Sequence, residues 1–138
     1  MIVSAPGMKA RGSRTRALVE FVDMYPSLAA LCGLPVPEHC EGLSFVPLME
    51  DPDRAWKKAA FSQYPRGAVM GYTMRTDRYR YTEWRDIESG KVVARELYNH
   101  HSDPGETVNL ADQPIYADVV KYLVRALQAG PSKQASRN

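Results

Sequence analysis

From position 18 to position 32 the apolar residues Leu18, Phe21, Val22, Tyr25, Leu28, Leu31 and Cys32 recur at steps of three and four, the repeat of one helical face. Pro26 interrupts a single helix, because proline is tolerated in a first turn and not in an interior. The pattern predicts a helix over 24–32 with Asp23 as N-cap, Pro26 in the opening turn and Gly33 as the stop, and a separate element over 18–22. Ahead of it, residues 2–5 form a short apolar stretch closed by Pro6 and Gly7, which reads as a strand end. Residues 8–16 carry Lys9, Arg11, Arg14 and Arg16 without periodicity and read as an exposed loop.

The pattern changes after residues 34–53, a stretch with prolines at 35, 37, 47 and 52 that ends in Glu50-Asp51-Pro52-Asp53 and marks a boundary between structural units. Residues 59–64, 69–76 and 78–84 are rich in aromatic and β-branched side chains and predict strands. In 78–84 the alternation puts Tyr79 and Tyr81 on one face and Arg78, Arg80 and Trp84 on the other. A tight turn at Thr76-Asp77 and another at Ser89-Gly90 lead to a fourth strand at 92–98. Beyond the loop 102–105, Ile115, Val119, Tyr122, Leu123, Ala126 and Leu127 repeat at helical spacing and halt at Gly130-Pro131. The expected fold class is α+β: an antiparallel sheet of four strands with a C-terminal helix on one face, followed by a polar, frayed tail over 131–138.

Composition adds exclusions. With 138 residues, 44% hydrophobic and 25% charged, the chain is long enough for one packed domain, or for a smaller domain with a borrowed segment. Eighteen basic against 16 acidic side chains leave a formal charge of +2, too close to balance for a nucleic-acid or anionic-membrane footprint. No apolar run approaches the roughly 20 residues that cross a bilayer, and no signal-peptide core is visible. An export signal of a larger precursor would lie upstream of Met1. Cys32 and Cys40, without a second pair or metal-like histidine spacing, are expected as partly buried free thiols rather than a disulfide or a zinc site. His39, His100 and His101 read as solvated loop residues, since neighbours on an extended chain point to opposite faces and do not readily share one ion.

Three stretches then carry a resemblance: Ala60-Phe61-Ser62-Gln63-Tyr64-Pro65-Arg66, Met70-Gly71-Tyr72-Thr73-Met74-Arg75-Thr76 and Tyr79-Arg80-Tyr81-Thr82-Glu83-Trp84. In order and spacing they resemble the C-terminal subdomain of sulfatases of the iduronate-2-sulfatase type. Glu96-Leu97-Tyr98, Ser102-Asp103-Pro104-Gly105-Glu106 and Asn109-Leu110 resemble an ending shared more broadly by sulfatases. Upstream, Val22-Asp23-Met24-Tyr25-Pro26-Ser27-Leu28, Gly33-Leu34-Pro35 and Glu41-Gly42-Leu43-Ser44 are similar to the stretch that closes the large sulfatase domain. The resemblance covers residues 2–127.

It implies an alkaline-phosphatase-like superfamily in which a large N-terminal α/β domain carries the chemistry and a sheet-plus-helix subdomain packs against it. On that basis residues 1–55 are the tail of the large domain and 56–130 the subdomain. The partners implied are the large domain and a sulfated saccharide substrate, and the location implied is periplasmic, secreted or lysosome-like. The family hydrolyses sulfate esters with a formylglycine, made from the cysteine of a C-x-P-S-R motif, beside a calcium ion. Cys32 is followed by Gly33-Leu34-Pro35-Val36 and Cys40 by Glu41-Gly42-Leu43-Ser44, so neither meets the motif. No catalytic residue, metal ligand or cofactor is therefore expected in this chain, calcium and formylglycine being expected in the N-terminal domain of the parent enzyme.

The resemblance also places Gln63, Tyr64 and Arg66 near the subdomain interface facing the active-site cleft, where the arginine would pair with a uronate carboxylate or a sulfate. The alternative is that Arg66 forms a salt bridge to the large domain. Arg75, Arg80, Tyr81, Trp84 and Asp103 are expected to be structural, bracing the sheet by cation–π contacts and ion pairs, with Arg75 buried against an acidic partner. Arginines interleaved with tyrosines also suit stacking on nucleic-acid bases, a reading the near-zero charge disfavours. Two functions stay open at this point: an accessory subdomain that shapes a sulfatase cleft, and a free-standing carbohydrate-binding or interaction module. In the first case apolar surface over 2–46 is left bare and self-association is expected.

Overall fold

The computed structural model describes residues 1–130, so the tail expected to be frayed, 131–138, lies outside the described residues. The chain forms two compact units, the first spanning Met1–Lys57 and the second beginning at Lys58. Among the described residues no helix is long and apolar enough to cross a membrane.

In the first unit a 3₁₀ turn, Phe21–Asp23, leads directly into helix α1, Met24–Leu31. Pro26 sits in the opening turn, where its absent N–H costs nothing. The helix ends in a Schellman arrangement: Gly33, at φ 68°, donates its N–H to the carbonyl of Ala30 at 3.1 Å, and Leu34 donates to Ala29 at 2.9 Å. The small core of this unit is Phe45, Leu48 and Met49, with Val3, Ala5, Met8, Val19 and Trp56 against it. Residues 2–5, expected to end a strand, pair with no strand among the described residues; Val3 and Ala5 contribute packing without a ladder.

The periodicity of α1 finds the apolar side of the helix but not the buried side. Phe21, Tyr25 and Leu28 are 91%, 60% and 56% exposed, whereas Pro26, Ser27 and Ala29 are buried. Small and polar side chains are what the helix itself buries.

The second unit is an antiparallel meander of strands β1 (Ala59–Arg66), β2 (Val69–Thr76), β3 (Tyr79–Asp86) and β4 (Val92–Asn99), in spatial order β1-β2-β3-β4. The four expected strands and the helix that follows, α2 (Ala117–Ala129), are all present. The turn between β2 and β3 is Asp77-Arg78, one residue beyond the expected Thr76-Asp77. Register is continuous except at Trp84/Arg85, where β4 carries an extra residue.

The sheet has one closed face. Ala59, Met74, Tyr81 and Leu97 project from four adjacent strands onto Leu123 of α2, with Val119, Val120, Val124 and Leu127 packed around them. Burying Leu97 and Leu123 fully stabilises the unit by about 1.5–3 kcal/mol each. After β4 the chain turns back along its free edge: Leu110 donates its N–H to the carbonyl of Leu97 at 2.8 Å. The Asn109 side chain accepts from the Leu97 N–H and donates to the Arg95 carbonyl, both at 3.0 Å.

Candidate functional site

The register decides which expected site residues share a surface. Phe61↔Met74↔Tyr81↔Leu97 runs across the closed face, and alternation places Gln63, paired with Tyr72, on that same side. Tyr64 and Arg66, paired with Gly71 and Val69, lie on the opposite, open face. The contiguous triple Gln63, Tyr64, Arg66 is therefore not one cluster: two members meet on the open face and Gln63 does not join them.

On the open face the row Tyr64↔Gly71↔Trp84 crosses three strands. Gly71 matters for what it lacks. A Cβ there would lie 2.8 Å from Cζ3 of Trp84, so the six-membered ring of the indole rests on the bare backbone of β2. The other end of the indole is fixed, its Nε1–H donating to Oε1 of Glu96 at 2.8 Å, while the Tyr98 hydroxyl donates to Oε2 of Glu96 at 3.3 Å. Next to this row the hydroxyls of Thr73 and Thr82 are 2.8 Å apart.

Arg80 continues the open face, paired with Glu106 and with its guanidinium 5.5 Å from the Tyr98 ring centroid. Glu106, held at φ 56°, also meets the His100 ring, so the loop after β4 is tied to β3 by a shared carboxylate. Asp103 shapes that loop by accepting the N–H groups of Thr107 and Val108 at 2.7 and 3.0 Å. Hydrogen bonding from the Val108 backbone, with Thr107 adding to it, holds the Asp103 carboxyl below the ordinary aspartate range.

Arg75 differs from expectation. Its Nη1 donates to the carbonyls of Thr76 and, at 3.1 and 3.5 Å, of Asp77 and Tyr79, so it closes the β2–β3 turn on backbone oxygens and not on an acid. Burial lowers its pKa. Three carbonyls converge on Nη1 at the turn, that of Tyr79 also accepting the Thr76 hydroxyl at 3.1 Å.

On the closed face the sequence reading missed Glu83. It is fully buried, accepting the Tyr81 hydroxyl at 2.9 Å and the Arg85 Nε and Nη2 at 3.1 and 2.5 Å, with Arg95 at 3.8 Å. Burial first, then the hydrogen bond to Glu83, pushes the Tyr81 hydroxyl pKa well above the ordinary tyrosine value. A groove of about 500 Å³ beside this network is lined by Met70, Tyr72, Arg85, Leu127 and Gln128. Of the two charged groups on the groove, Arg85 is taken by Glu83, and Asp86 accepts the Ser89 N–H and hydroxyl at 2.8 and 2.6 Å.

The first unit holds a second buried carboxylate. Asp23 accepts the N–H groups of Glu20 and Leu43, each at 2.8 Å, and Nζ of Lys57 at 2.6 Å. The expected N-cap thus directs its side chain away from the helix amides. Ser27 relays the clamp, donating to the Asp23 carbonyl at 2.5 Å and accepting the Phe45 N–H at 2.9 Å.

Chemistry is sparse. Cys32 is exposed, Cys40 half-buried, and both are free thiols. Among the described residues no group of three or more histidines, cysteines or acids is disposed to hold a metal ion. His101 lies 3.5 Å from Asp77, while His100 is committed to Glu106, so the two neighbours face different partners. These residues do not fit a calcium and formylglycine centre, and no hydrolytic step can be built from them.

Comparison with known proteins gives this arrangement a context. A family model described as N-sulphoglucosamine sulphohydrolase, C-terminal, matches residues 1–133. Iduronate 2-sulfatase of Mus musculus is 35% identical over 150 aligned positions, which take in 78% of this chain and 26% of that protein. Arylsulfatase K of Homo sapiens is 28% identical over 80% of this chain and 22% of its own length. In structure, the phosphonate monoester hydrolase of Agrobacterium radiobacter superposes with a TM-score of 0.63 at 26% identity, over 78% of this chain and 23% of that one. The chain thus spans about a quarter of the length of the proteins it matches.

Proposed function

Because the chain belongs to the N-sulphoglucosamine sulphohydrolase C-terminal family, we propose that it is the accessory C-terminal part of a sulfatase that hydrolyses sulfate esters of saccharides. In that enzyme residues 1–55 complete the large catalytic domain, and the sheet-plus-helix unit stands beside the substrate cleft. The observation that carries this reading is the family match over residues 1–133 in a chain about a quarter as long as its full-length relatives. The bare apolar side of α1 supports it, since such surface marks an interface. Tyr64 and Arg66, exposed on the open face, are the residues suited to meet substrate; Gln63, also exposed, lies on the other side. Formylglycine and calcium belong to the large domain.

The test is a chimera in which this chain replaces the matching C-terminal quarter of mouse iduronate 2-sulfatase. Hydrolysis of a sulfated iduronide by the chimera, and none by the 138-residue chain alone, is the expected pair of results. Turnover by the chain alone, or a chimera that folds and is inactive, would overturn the reading.

A further inference from the structure

We propose that the basic loop 9–16 of the first unit is an attachment site for a linear sulfated polysaccharide, gripped by the guanidinium forks of its arginines. This attachment rests on the loop's own charges and build, not on the sulfatase reading above, and it takes no part in hydrolysis.

A net charge near zero conceals how the cations are placed. The first acid of the chain is Glu20, and ahead of it Lys9, Arg11, Arg14 and Arg16 fall within eight residues. All four are exposed. The loop lies against the strip 49–54, which contributes Glu50, Asp51, Asp53 and Arg54, so five cations stand beside three acids. Only Lys9 draws on those acids, reaching Glu50 at 3.6 Å. Asp51 turns instead to the N–H of Asp53, at 3.2 Å. Arg14 and Arg16 form no ion pair among the described residues.

The backbone that carries these charges is pinned. Met8 and Ala17, at the two ends of the loop, pack against the core of Phe45, Leu48 and Met49. Between them the Ala10 N–H donates to the Met49 carbonyl at 3.0 Å, and the Thr15 hydroxyl donates to the Pro52 carbonyl at 2.6 Å. Gly12, at φ 70°, makes a bend that a residue with a Cβ rarely adopts. A loop fixed before its ligand arrives has little freedom to lose on binding. Arg11 is oriented as well: its Nε donates to the Met8 carbonyl at 3.2 Å, which leaves both Nη groups for an anion.

The residue types select the occupant. A guanidinium takes a sulfate through two parallel hydrogen bonds, and arginines strung along one loop suit an anion that repeats along a chain. Residues 9–16 include no aromatic side chain to stack on a base and no large apolar one to enter a bilayer.

Isothermal titration of the full chain with a heparin octasaccharide is the test. At about 50 mM salt the expected Kd is about 100 μM or tighter, weakening as salt rises because counterions are released on binding. Arg14→Ala combined with Arg16→Ala is expected to weaken it roughly tenfold. Lys121→Ala combined with Arg125→Ala removes the same charge from the exposed side of α2 and is expected to leave the Kd within about twofold. Far-UV circular dichroism should be unchanged in both pairs, since all four side chains are exposed. No saturable heat by about 1 mM octasaccharide, an equal loss from the two pairs, or binding of a single-stranded oligonucleotide or of phosphatidylglycerol vesicles as tight as that of heparin would each overturn the attachment site. The titration and the chimera fail independently. An active chimera with a silent titration overturns the attachment site alone, whereas binding that depends on Arg14 and Arg16 with an inactive chimera overturns only the sulfatase reading.

Discussion

In the second unit the large apolar side chains Met74, Leu97 and Leu123 are enclosed between a sheet and a helix, with Tyr81 among them. In the first, Phe21, Tyr25 and Leu28 face outward and the helix that carries them is anchored through Asp23 and Ser27. One unit is held by a sheet-and-helix apolar core, and the other adds a polar clamp to the smaller core of Phe45, Leu48 and Met49. The contrast teaches that an amphipathic pattern reports which side of a helix wants covering, and that the cover need not lie nearby in the same chain.

The clamp offers the largest test of that contrast. Asp23→Ala removes the acceptor of two backbone N–H groups and one of the two carboxylates on Lys57, which keeps Glu20 at 2.5 Å, so a loss of about 2–6 kcal/mol is expected from the two amides left without a partner. Urea denaturation should register it, with hydrogen exchange accelerated at Leu43 and Phe45; unchanged exchange there would show that apolar packing holds the first unit after all. Leu123→Ala, its counterpart in the second unit, should cost about 2–5 kcal/mol in the same assay, because α2 has no other side chain so fully enclosed by the sheet.

Alkali gives a smaller effect of defined sign. The folded state holds the Tyr81 proton more tightly than the unfolded chain does, so stability is intact below the ordinary tyrosine pKa of about 10 and falls as pH rises above it. Comparing thermal unfolding at neutral and strongly alkaline pH should show a shallower decline for Tyr81→Phe; an identical decline would remove Tyr81 as its cause. Smallest in stability is Leu28→Ser, expected within about 0.5 kcal/mol because the side chain has little packing to lose, yet expected to reduce self-association in light scattering. A measurable destabilisation would mean that the outward face of α1 is already covered.

The sheet was legible because alternation and turn residues act locally: β1 to β4 and α2 lie where aromatic and β-branched runs and helical spacing put them. Site geometry was less so. Gln63, Tyr64 and Arg66 read as a unit when written in a line, but a strand sends neighbours to opposite faces, which a contiguous motif conceals. Glu83 went unnoticed because a carboxylate in a strand is assumed to face water. The parity that put Tyr79 and Tyr81 inward put Glu83 there too, with Arg85 two residues on to neutralise it. The position of Asp23 before α1 suggests a cap, yet beside Glu20 its side chain meets Leu43 and Lys57, far along the chain, where no local signal reaches.

The strip of chain at Asn109 and Leu110 has a consequence for handling this protein at high concentration. By occupying the amide and carbonyl of Leu97 and the carbonyl of Arg95, it blunts the outward edge of β4 and leaves the rim of β1, where Pro65 brings no donor, as the longer stretch open to strand exchange between molecules.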